Sequence, residues 1–95
     1  MDKAEARNVL ARQLASYRGR PYHDMVRLVG TNSTVEVRGP SGAEYQIEID
    51  VMWDSRREKV NVRVMGAIDD GRLPGALLPL CESFVLTPDE RLLGE

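Results

Sequence analysis

The side chains able to do chemistry are few and scattered. The chain carries one histidine, His23, next to Asp24, and one cysteine, Cys81. An imidazole suits general-base catalysis near neutral pH, and a thiolate is a nucleophile. Asp24 is also accounted for as a first-turn acid on a helix dipole, and a cysteine following Leu80 as a small hydrophobe. Asp69 and Asp70, together with Glu48, Asp50 and Asp54, offer the oxygens that calcium or magnesium needs, but not at EF-hand spacing. Asp69-Asp70-Gly71 also reads as turn chemistry. An enzyme or metal-binding protein would have to bring Asp69, Asp70 and His23 into one cleft. The glycines fall in no phosphate-cradling frame, and the sequence implies no cofactor.

Arg18, Arg20, Arg56 and Arg57 are the candidates for phosphate contacts in a nucleic-acid-binding regulator. The formal charge is −2 and carboxylates interleave with the basic residues, so the electrostatic term that dominates nucleic-acid binding is weak. No apolar run approaches the roughly 20 residues needed to cross a bilayer. A single cysteine and the absence of a basic, then apolar, leader pattern predict a cytoplasmic protein.

These side chains must be positioned by a small α+β domain spanning 1–95. With 42% hydrophobic and 29% charged residues in 95, the chain has the balance of one globular domain. Asp2 and Glu5 resemble a capping box, and Ala6, Val9/Leu10, Leu14 and Tyr17 recur at helical spacing, with Glu5, Arg7 and Arg12 outward. Gly19 and Pro21 end this helix. Pro21 opens a second, shorter one, with Tyr22, Met25, Val26 and Val29 on one face and Gly30 as its stop.

From Thr34 the period becomes two. Strands are predicted over 34–38, 44–53, 59–68 and 72–80, followed by a short terminal hairpin around Thr87-Pro88-Asp89. Pro40-Ser41-Gly42 fits a hairpin loop that sets Val37 opposite Tyr45, Val35 opposite Ile47 and Arg38 opposite Glu44. A four-residue loop, 55–58, would set Asp50 opposite Arg63 and Val51 opposite Val62, with Val60 inward. Asp70-Gly71 is a hairpin signal, and Pro74 and Pro79 mark the following strand as an edge.

That register leaves Met52, Met65, Ala67, Ala76, Leu78 and Leu80 on the face away from the helices, beside Glu48, Asp50 and Arg63. A face meant only for water would be more polar. Either the C-terminal segment folds back over the strip through Phe84, Leu86 and Leu92, or the strip is a contact surface for a protein partner or a second copy in a homodimer. The sequence thus points to a non-enzymatic binding or self-associating module. Its candidate surface is Glu48, Asp50, Met52, Arg63, Met65 and Leu78, with methionines suited to partner contacts.

Pro21-Tyr22, Pro40-Ser41-Gly42 with Tyr45 and Glu48, Trp53-Asp54, Ile68-Asp69-Asp70-Gly71, Pro79-Leu80 and the closing stretch from Pro88 to Glu95 together resemble a family of small uncharacterised bacterial proteins. The resemblance covers nearly the whole chain. Its motifs look like a signature of turns and core positions, and it implies no activity. Arg72 and Glu90 stand where the family pattern has glycines, departures that bear on turn geometry.

Overall fold

The computed structural model describes residues 1–71 and 80–93. Among these residues two helices, α1 (Lys3–Arg18) and α2 (Tyr22–Leu28), precede five strands, β1 (Asn32–Arg38), β2 (Glu44–Trp53), β3 (Val62–Asp69), β4 (Leu80–Leu86) and β5 (Leu92–Leu93). The strands form one antiparallel sheet in chain order, a meander. The architecture is the α+β class that the change of hydrophobic period implies.

α1 begins where Asp2 Oδ1 accepts the N–H of Glu5 at 3.1 Å, which satisfies one of the donors orphaned at a helix start. Ala6, Leu10 and Leu14 are fully buried on one side of it. α1 lies across β3 and β4, and α2 rests against β2 and β3. α2 contributes the fully buried Met25, flanked by the half-buried Tyr22, Val26 and Val29. The inner face of the sheet answers with alternating residues, Tyr45, Ile47, Ile49 and Val51 on β2, then Val62, Val64 and Ile68 on β3. Gly66 interrupts that row because α1 comes close: a Cβ there would lie 2.8 Å from Leu10 Cδ1 and 3.2 Å from Leu14 Cδ2.

The β1–β2 hairpin has the expected register, Val37 with Tyr45 and Arg38 with Glu44, and Gly42 takes the left-handed conformation at φ 91°. The β2–β3 register differs from expectation by two residues. Asp50 lies opposite Met65 and Met52 opposite Arg63, and Val51 pairs with Val64. The cause is a longer turn. Asp54 N–H bonds Asn61 O at 2.7 Å, Lys59 N–H bonds Ser55 O at 2.9 Å, and Lys59 adopts a left-handed φ of 53°. Val60 therefore lies in the loop, 42% exposed, instead of inward on a strand. A slip of two preserves which face each side chain occupies, so the valines still point to the core.

The strand expected over 72–80 falls, except for Leu80, outside the described residues. The fourth described strand is Leu80–Leu86, which pairs directly with β3. The expected terminal hairpin is present: Leu86 pairs with Leu92 and Val85 with Leu93, closed by Thr87 N–H to Arg91 O at 3.0 Å. Because Leu80–Leu86 extends the sheet edgewise, it does not fold over the outer face. Phe84 and Leu86 enter the inner core, where both are buried, and Leu80 packs against the same cluster.

Candidate interaction surface

Strand parity puts Gln46, Glu48, Asp50 and Met52 of β2 on the outer face beside Arg63, Met65 and Ala67 of β3 and Cys81 and Ser83 of β4. Met65 is 37% exposed, Met52 and Ala67 are half-buried, and Val85 of β4, opposite Arg63 on the same face, is buried. The polar residues around them are pinned by one another. Asn32 on β1 donates through Nδ2 to Asp50 Oδ1 at 2.5 Å and to Glu48 Oε2 at 3.2 Å, so the edge strand holds two carboxylates in place. The ion pair expected between Asp50 and Arg63 is absent, because the longer loop moves them out of register. Arg63 instead grips Asp54, at 2.7 Å and 2.9 Å from two guanidinium nitrogens, and donates to Ser83 Oγ at 2.9 Å. A guanidinium held at three points loses little further freedom on binding a partner. Leu78 lies outside the described residues.

The residues that catalysis or metal binding would need are not brought together. His23 sits on α2 with 71% of its side chain exposed, and its imidazole reaches back 3.3 Å to the adjacent Asp24. α2 lies at the end of the sheet where β3 begins, since Tyr22 donates its hydroxyl to Val60 O at 2.5 Å. Asp69 ends β3, and its Oδ1 accepts the N–H of Gly71 at 2.8 Å, while Asp70 follows. The eight residues of β3, at about 3.3 Å each, separate the two ends by roughly 23 Å. Cys81 is on the outer face of β4, exposed. Among the described residues no three His, Cys, Asp or Glu side chains converge to hold a metal ion. Arg18 lies over the Phe84 ring at 5.2 Å and Arg20 over Tyr17 at 4.9 Å, both at the end of α1, whereas Arg56 and Arg57 are exposed in the β2–β3 loop. No described helix is long and apolar enough to cross a membrane.

A second polar cluster escaped the sequence reading, which set Glu5 outward. Glu5 instead faces the β1–β2 turn, where its carboxylate accepts from Tyr45 Oη at 2.6 Å, Ser41 Oγ at 2.8 Å and Ser41 N–H at 2.9 Å. The Tyr45 bond, followed by those from Ser41, holds the Glu5 carboxyl below its ordinary range. The same bond, with burial and nearby carboxylates, pushes the Tyr45 phenol up to about 12. Gly39 makes room for this contact, because a Cβ there would lie 2.9 Å from Glu5 Cδ and 3.0 Å from Tyr45 Cε2. An open cleft of about 670 Å³ beside the cluster is lined by Asp2, Glu5, Glu44 and Asp70 among others. The trio fastens the start of α1 to the hairpin turn. The signal for it was Tyr45 itself, an inward tyrosine whose hydroxyl needs a partner when buried.

Comparison of the chain with protein-family models, with curated proteins and with solved structures found no match.

Proposed function

We propose that the protein is a non-enzymatic binding module that engages another protein through the outer face of its sheet, with Met65 at the centre of the contact. The observation that carries this is an exposed methionine on a face that no described helix covers, inside a frame of charged groups already fixed by Asn32, Asp54 and Ser83. Fixed polar groups around a flexible apolar anchor lower the ordering cost of association and favour one binding geometry. An exposed thiol at Cys81 suits action in a reducing cytoplasm.

The test is affinity capture from cell lysate with the native chain and a Met65→Glu variant confirmed as folded by circular dichroism. A protein held by the native chain and lost with the variant supports the reading. Equal capture by both, or capture by neither, overturns it.

A further inference from the structure

Among the described residues, β1 is the outermost strand of the sheet, opposite the β4–β5 side. Its ladder fixes which backbone groups face outward. Gly39 N–H bonds Ala43 O, Val51 N–H bonds Thr31 O and Gly30 N–H bonds Val51 O, so the bonded pairs with β2 fall at odd-numbered residues. The N–H and C=O groups of Asn32, Thr34, Glu36 and Arg38 therefore point away from β2, toward open solvent among the described residues. Such a row is a template for another strand. The usual protections are proline, lysine, a bulge or a very short edge. β1 pairs one to one with β2 along seven residues and contains neither Pro nor Lys. What it does carry is an acid and a base two residues apart on the outer face. Arg38 bridges to Glu44 at 2.9 Å, whereas Glu36 stands opposite Gln46 and makes no ion pair among the described residues.

We infer that β1 pairs antiparallel with β1 of a second copy about a two-fold axis at Val37, joining two sheets into one. This rests on the reading that the protein works by association, but it uses the sheet edge instead of the outer face. Charge and backbone parity together select the occupant and the register. About Val37, Glu36 faces Arg38 of the second copy and the reverse, and both positions have outward backbone groups, so each pair exchanges two N–H···O bonds; the strands overlap only over residues 36–38, because Thr34 then faces Pro40, which has no N–H to donate. Arg38 then lies between Glu44 of its own sheet and Glu36 of the other. On the inner side the half-buried Val37 meets its symmetry mate, and Val35 meets the buried, side-chain-free Gly39. An axis at Glu36 would set like charges against each other, and an axis at Val35, although it overlaps all of residues 32–38, would leave Glu36 against Thr34 and Arg38 against Asn32 with no ion pair to select a second copy.

The experiment is light scattering over a dilution series into the millimolar range at low salt. It compares the native chain, Glu36→Arg, Arg38→Glu, an equimolar mixture of those two variants, Glu36→Pro and Met65→Glu, each checked for native circular dichroism. The native chain should be a concentration-dependent dimer. Each charge variant should weaken dimerisation at least tenfold, since its own copies then repel, and mixing the two should restore it as a heterodimer. Glu36→Pro removes an N–H that the monomer does not use and should weaken the dimer as well, so the test stands even if one charge variant misfolds. Met65→Glu should dimerise as the native chain does. A strictly monomeric native chain, a dimer indifferent to Glu36→Arg, or a mixture that stays monomeric would overturn the inference. Loss of the dimer in Met65→Glu alone would also overturn it and would move self-association to the outer face.

Discussion

Residues 65 and 66 are neighbours on β3 with opposite demands. Gly66 faces α1, where even a methyl group would press on Leu10, Leu14 and Ile49, while Met65 faces outward with more than a third of its surface exposed. One step along the strand leads from a tightly packed part of the core to an apolar side chain at the surface. The inner face supplies stability through close packing, where volume is decisive. The outer face is packed unevenly: Val85 on β4, opposite Arg63, is buried, whereas Met65 is left at the surface among hydrogen-bonded polar groups.

That contrast breaks if substitutions on the two faces have similar effects. The largest loss is expected for Phe84→Ala, which empties a fully buried ring site on β4 and should cost about 4 kcal/mol in denaturant unfolding. Were Phe84 lying on the outer face, the loss would be far smaller. Gly66→Ala comes next, at about 1–3 kcal/mol, because the added methyl must displace three packed side-chain ends.

Tyr45→Phe sharpens the comparison at the hairpin end of the core. The phenol's folded value of about 12 stands above the ordinary 10.0, so its contribution is whole below pH 10.0 and is lost as pH rises toward 12. The lowered carboxyl of Glu5 acts oppositely, contributing above its ordinary 4.5 and fading as pH falls below that. Stability measured against pH should therefore lose its alkaline limb in Tyr45→Phe and show a shallower acid limb. Unchanged limbs would mean that the trio does not fasten α1 to the turn. The smallest of these effects belongs to Met65→Gln, within about 0.5 kcal/mol of native, since an uncharged side chain there meets no repulsion from Asp50 directly opposite. A loss as large as that of Gly66→Ala would mean that the outer face is packed.

The fold was legible in the sequence wherever a local signal fixed it. The Asp2 cap, the Pro21 restart of the helix and the Pro40-Ser41-Gly42 turn all act over a few residues, and each is found in place. The β2–β3 register was not legible, because alternation reports only parity and a loop longer by two residues satisfies it equally. That slip replaced the Asp50 to Arg63 pair by Asp54 to Arg63. The place of Phe84 was lost for a related reason: Ser83-Phe84-Val85-Leu86 reads as a strand, but nothing local says that it joins β3 at the sheet's edge instead of crossing its face. Glu5 was set outward because its partners, Ser41 and Tyr45, lie 36 and 40 residues away in the chain. Of the candidate surface, Met52, Met65, Glu48, Asp50 and Arg63 share the outer face as parity required, though linked differently.

Glu90 offers a smaller test of the same distinction between local and distant demands. It holds a left-handed φ of 64° while its carboxylate accepts the α2 N–H of Tyr22 at 2.7 Å. Glycine would relieve the backbone and lose that bond, so Glu90→Gly should leave stability nearly unchanged while amide exchange at Tyr22 speeds up. Unaltered exchange there would show that the contact does not hold α2.

The most direct test of the central claim is the rate of methionine oxidation in the native protein, read by mass spectrometry after a brief hydroxyl-radical pulse. Met65 should oxidise fastest of the three interior-sequence methionines, Met52 more slowly, and the fully buried Met25 scarcely at all. Met65 as protected as Met25 would mean that the outer face is covered in the folded chain, and a surface that is covered cannot be where a partner binds.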